Sequence, residues 1–135
     1  MFSYSNSGLV VADIDGLIFK HHGDITEIYN NPTIVLDGVH KRFNEWISDG
    51  RFILITTARP PSMKKYTEEQ LEKCAIPYHQ LVMGVGRGPR FLINDNKPGK
   101  MGKTAFGITV DRDKGLGNID LKSLLEENKT HVFVD

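Results

Sequence analysis

Short apolar runs recur along the chain, and each stops at a polar or glycine-bearing step. Leu9-Val10-Val11-Ala12 ends at Asp13, and Phe52-Ile53-Leu54-Ile55 ends at Thr56-Thr57-Ala58-Arg59. Leu81-Val82-Met83 ends at Gly84, and Phe91-Leu92-Ile93 ends at Asn94-Asp95. Continuous runs of this length read as buried parallel strands. Residues 105–110 read as a fifth strand. Between the first two strands, Val39, Phe43, Trp46 and Ile47 fall on one helical face, so the spacing predicts a helix from Asp37 to Asp49. Asp37 is placed to cap its start, and Gly50 takes the left-handed position after its end. A second helix is predicted over 64–74, with Leu71 and Cys74 inward, and a third over 121–127.

Strands alternating with helices define an α/β chain, here a doubly wound, Rossmann-like parallel sheet flanked by helices. One domain over residues 1–135 is expected, with 118–135 as a C-terminal helix and tail ending in Val132-Phe133-Val134. Residues 19–31 are polar and irregular and read as a flap or short hairpin; 84–89 read as a glycine-rich loop. In open parallel sheets ligands gather at the carboxyl ends of strands. Asp13, Thr56-Thr57 and Asn94-Asp95 are all expected there.

Composition narrows the function classes. Seventeen basic and seventeen acidic side chains cancel, so no global pull toward nucleic acid or an anionic membrane is expected. The single cysteine, Cys74, excludes an internal disulfide and fits a reducing compartment. Met1 to Gly8 lack the features of an export signal, and no run reaches the length of a membrane span. A cytoplasmic protein is the expectation. Gly99-Lys100-Met101-Gly102-Lys103-Thr104 invites a P-loop reading, but that spacing needs glycine where Lys97 stands. His21-His22 shows no metal-ligand spacing. His40 and His79 make no nucleophile–base pattern.

Asp13-Ile14-Asp15-Gly16 carries the chemistry. Two carboxylates two residues apart at a strand end do not belong to a core, where unpaired charge is costly. One can attack while the other handles protons, and a divalent cation would neutralise both site and phosphate. The competing account is a solvated turn, because Asp and Gly are common turn residues.

VVADIDGLI resembles the first motif of the haloacid dehalogenase superfamily, an acid pair and glycine after an apolar strand. LDGVHKRFNEWISDGRFILITTARP resembles the family's next unit, a helix, a glycine and a strand ending in a threonine. FLINDN resembles its last acidic motif. The likeness runs in order over residues 9 to 98. It implies that Asp13 is a nucleophile that becomes transiently phosphorylated. It implies that Asp15 protonates the leaving oxygen and then activates water. Thr57, with Thr56 as runner-up, would hydrogen-bond the phosphoryl group. Magnesium would be held by Asp13, the main-chain carbonyl of Asp15, and Asp95, with Asn94 a further candidate. The family also needs a cation on the phosphoryl oxygens; Arg87 is the first choice, with Arg90 and Lys97 as competitors.

Two positions depart from the family pattern. Leu17 stands where Thr or Val is usual, and Asn94 replaces one acid of an acid pair, leaving an uncharged ligand. No insertion is large enough for a cap domain, so an open site is expected, suited to a bulky phosphorylated substrate or to closure by a neighbouring subunit; the resemblance to small capless members of the family implies a sugar phosphate as substrate. Two rival functions follow: a site that binds without turnover, and a receiver-like signalling domain. The latter needs an acceptor Asp after the third strand, where Gly84 stands.

Overall fold

The computed structural model describes residues 8–96 and 102–127. They fall into two compact units: one of residues 1–87 with 110–117, the other of 88–109 with 118–135.

The first unit is α/β. Strands β1 (Leu9–Ala12), β2 (Phe52–Thr56) and β3 (Gln80–Val82) form a parallel sheet in the order β1-β2-β3. β1 pairs with β2 from Leu9↔Phe52 to Ala12↔Ile55, and β2 with β3 from Leu54↔Gln80 to Thr56↔Val82. Helices α1 (Ile25–Asn30), α2 (Val39–Ser48) and α3 (Lys64–Lys73) fill the connections, α3 preceded by a 3-10 turn over Pro61–Met63. The sheet's two faces are unequal. Ile53 and Ile55 are completely buried, while Leu9 and Val11 on the opposite face are 52% and 44% exposed. In a sheet wound on both sides, neither face would be open.

Helix α2 forms for the expected reason: Val39, Phe43 and Trp46 are buried one turn apart. Its start differs. Gly38, not Asp37, is the capping residue, with a left-handed φ of 77°, and no side chain caps the helix. A Cβ at Gly38 would stand 2.6 Å from the Gly117 nitrogen, so only glycine lets the two segments meet. Asp37 is used otherwise, its carbonyl accepting from the Leu116 N–H at 2.7 Å. Gly50 takes the left-handed φ of 78° expected after the helix.

The stretch 19–31 is hairpin-like only at its base. Lys20 N–H donates to the Ile34 carbonyl and Leu36 N–H to that of Ile18, closing a short antiparallel ladder around Phe19↔Val35. Its outer part is α1, started by Asp24, whose carboxylate accepts from Glu27 N–H at 3.0 Å. Tyr29 of α1 packs edge-on to Tyr66 of α3, with ring centroids 4.6 Å apart.

In the second unit, α4 (Leu121–Glu127) lies where the apolar spacing places a helix, with Asp120 accepting from the Lys122 and Ser123 N–H groups. The fourth and fifth strands do not form: neither Phe91-Leu92-Ile93 nor residues 105–110 enter a sheet. Phe91 and Ile93 are 86% and 91% exposed. Three apolar residues between Gly88-Pro89 and Asn94-Asp95-Asn96 gain nothing from extension until a neighbouring strand takes their hydrogen bonds. No helix among the described residues is long and apolar enough to cross a membrane. The apolar tail at Val132-Phe133-Val134 lies outside the described residues.

Candidate functional site

β1 and β2 end side by side, and the first unit's polar residues meet there. Beyond Ala12 the chain turns at once. The Ile14 carbonyl accepts from Ile18 N–H at 2.8 Å, and Gly16 N–H donates to the Phe19 carbonyl at 2.8 Å. Ile14, Ile18 and Phe19 are buried beneath this turn. Each contributes roughly 1.5–3 kcal/mol by burial, enough to fix a turn whose top is charged. Gly16 has a φ of 89°, which L side chains rarely adopt. Asp13 is thereby left exposed, and its Oδ1 accepts from the Ile14 N–H at 2.8 Å.

Asp15 is gripped from β2's side. Arg59 Nε donates to Oδ2 at 2.9 Å and Nη2 to Oδ1 at 2.8 Å, a bidentate pair. The Arg59 side chain is 3% exposed and that of Asp15 22%. The remaining Arg59 contacts come from α3: Nη1 donates to Thr67 Oγ1 at 3.0 Å and to Gln70 Oε1 at 2.8 Å. Gln70 in turn donates to Thr33 Oγ1 at 2.6 Å. Thus strand end, helix and flap base are joined through one guanidinium.

Thr57 is buried at 1% exposure, and its hydroxyl oxygen accepts from the Arg59 N–H at 3.1 Å. Thr56, still in β2, is half-buried on the alternate face. The 84–89 loop starts against this corner, with Val85 N–H donating to the Thr57 carbonyl and Gly84 N–H to that of Arg59. Arg87 follows two residues later and is exposed.

The other expected residues belong to the second unit. Arg90 Nη1 donates to the Gly88 carbonyl at 2.6 Å. Asn94 Nδ2 donates to the Thr104 carbonyl at 3.3 Å, and the Thr104 hydroxyl donates to the Asp95 carbonyl. Lys97 and the first half of the glycine–lysine stretch, Gly99-Lys100-Met101, lie outside the described residues. His22 is a structural residue, its Nε2 lying 2.9 Å from the Pro32 carbonyl.

Among the described residues no three His, Cys, Asp or Glu side chains stand close enough together to enclose a metal ion. Within the Asp13–Gly16 turn the Asp13 carboxylate is exposed, while the Ile14 and Gly16 carbonyls already accept main-chain N–H groups. Magnesium is commonly held by one or two carboxylates and completed by waters and substrate phosphate.

Sequence reasoning left two sets of residues without a role. The first is Arg59 with Thr67 and Gln70. Their signal was present, since Thr67, Gln70, Leu71 and Cys74 share a helical face and polar groups on an inner stripe need a buried partner. The second is Arg112-Asp113, which contacts the Gly16 turn across nearly a hundred residues of chain. Asp113 N–H donates to the Gly16 carbonyl at 2.9 Å, and Asp113 Oδ1 accepts from the His21 N–H at 2.8 Å. No local pattern announces such a contact.

No family model matches the chain, and no curated protein or solved structure matches it.

Proposed function

We propose that the chain is a phosphomonoester hydrolase of the haloacid dehalogenase type, with Asp13 as its nucleophile. One observation carries the reading: parallel β1 and β2 end in register, so the Asp13–Gly16 turn and Thr57–Arg59 emerge at the same sheet end. This is where open α/β sheets bind ligands. An Asp13 oxygen attacks phosphorus as the ester oxygen departs, giving an aspartyl-phosphate and an alcohol. Asp15 gives its proton to the departing oxygen, then takes one from the water that attacks the phosphoryl group, releasing phosphate and restoring Asp13. Thr57, or Thr56, donates a hydrogen bond to the phosphoryl group. Asp13 and the Asp15 carbonyl, both in the first unit, would hold magnesium, which when bound offsets the charge of carboxylate and phosphate; Asp95 and Asn94 are ligands that the family resemblance alone implies. The substrate class is a phosphorylated metabolite such as a sugar phosphate, on the resemblance to small capless members of that family.

A second reading, binding without turnover, is favoured by the Asp15–Arg59 pair. Both Asp15 oxygens accept from Arg59, so proton transfer requires Asp15 to give up one of those bonds.

The deciding assay incubates the protein with an aryl phosphate and a panel of sugar phosphates, with and without magnesium, beside Asp13→Asn. Loss of the nucleophile is expected to lower metal-dependent release on the order of 10³-fold or more. Equal, negligible release from both proteins removes the hydrolase reading in favour of binding.

A further inference from the structure

We propose that Arg112 is the cation that meets the phosphoryl group of the substrate; this rests on the phosphatase reading above. A phosphate site needs a positive head free to donate, mounted on a fixed support. Two other arginines of the first unit are committed elsewhere. Arg59 is spent on Asp15, Thr67 and Gln70. Arg42 is spent on the Leu116 and Gly117 carbonyls and on Glu45. Arg112 is exposed, and among the described residues its guanidinium has no hydrogen-bond or ion-pair partner.

Its position is set by the turn that carries both carboxylates. Arg112 Cγ lies 3.1 Å, and Cδ and Nε 3.8 Å, from the point where a Cβ on Gly16 would stand. Three successive atoms at that range mean that the side chain runs across Gly16, next to Asp15. The missing Cβ is what makes room for it.

The support is rigid. Asp113 holds a left-handed φ of 63°, an unfavourable conformation that aspartate tolerates better than most residues. It is locked there by its bonds to Gly16 and His21. Three residues on, Leu116 is buried and hydrogen-bonded to Asp37, while Arg42 clamps the following carbonyls. Residues 111–117 are thus fastened at both ends, with an uncommitted guanidinium projecting beside the nucleophile turn. This assigns the cation to a position well after the loop that holds Arg87.

The test compares wild type, Arg112→Met, Arg112→Lys and Lys114→Met in the magnesium-dependent aryl phosphatase assay, with inorganic phosphate as a competitive inhibitor. Methionine keeps an apolar stem over Gly16 and removes only the charge. Arg112→Met is expected to lower kcat/KM and weaken phosphate inhibition, each by on the order of tenfold to a hundredfold, at unchanged melting temperature. Lysine is expected to recover part of both losses, and Lys114→Met, on the same exposed segment, none of the effect. Retention of kcat/KM and phosphate inhibition to within about twofold in Arg112→Met overturns the assignment while the phosphatase reading stands. If wild type shows no metal-dependent turnover, the phosphatase reading fails separately. Calorimetric titration with phosphate then decides: binding lost in Arg112→Met supports the cation's role, and equal binding or none in either protein overturns it.

Discussion

At the scale of single residues, Arg59 ties separate parts of the first unit together. It joins the Asp15 carboxylate, two groups on α3 and, through Gln70, Thr33 at the flap base. Removing one member of a buried pair costs about 3–5 kcal/mol, and the partial exposure of Asp15 brings the expectation for Arg59→Met to about 2–4 kcal/mol. Arg59→Lys should recover only part, because an ammonium cannot reproduce the planar fork. Chemical denaturation checks both, and a loss under about 0.5 kcal/mol for Arg59→Met would show the network to be ornamental. Gly16→Ala is expected to cost about 1–2 kcal/mol from its left-handed φ alone. Its added methyl also meets the Arg112 stem, so an effect on phosphate affinity should accompany the loss of stability.

At the scale of elements, the segment over 110–117 behaves as part of the first unit's framework although the described residues from 83 to 109 hold neither helix nor strand. Gly115 shows how tightly it sits. A Cβ there would come within 2.2 Å of the Asp37 carbonyl oxygen, with the residue at a φ of 81°. Gly115→Ala must therefore push backbone against backbone, and its cost should exceed the roughly 1–2 kcal/mol of the conformational penalty alone. A urea midpoint equal to wild type would refute this packing. Helix α3 gives a different prediction. Burial pushes the Cys74 thiol above its ordinary pKa, leaving less thiolate at neutral pH. Alkylation by iodoacetamide should be slower than for a small free thiol near pH 7 and should accelerate as pH rises through the alkaline range. Equal rates at pH 7 would contradict it.

For the whole molecule, the unequal sheet faces are the main structural fact. β2 is paired on both sides and contributes the completely buried Ile53 and Ile55, whereas β1 and β3 are outer strands among the described residues. Amide exchange should be slowest along Ile53–Ile55 and faster in β3. Residues 91–93, exposed and outside any sheet, are expected to exchange at close to the unprotected rate, and slow exchange there would contradict the described arrangement.

Local pattern alone accounts for β1, α2, β2, α3, β3 and α4, because apolar spacing, a following glycine and a break at proline act within a few residues of one another. The motif Asp13-Ile14-Asp15-Gly16 was legible for the same reason. Tertiary structure decided which partners those residues found. Arg59 reaches Asp15 across forty-four positions, and Asp113 reaches His21 across ninety-two. It also left Phe91-Leu92-Ile93 exposed, where an apolar run had suggested a strand. Such pairings depend on which distant segments close over a buried polar group, and a side chain's own neighbours in sequence carry no record of that choice.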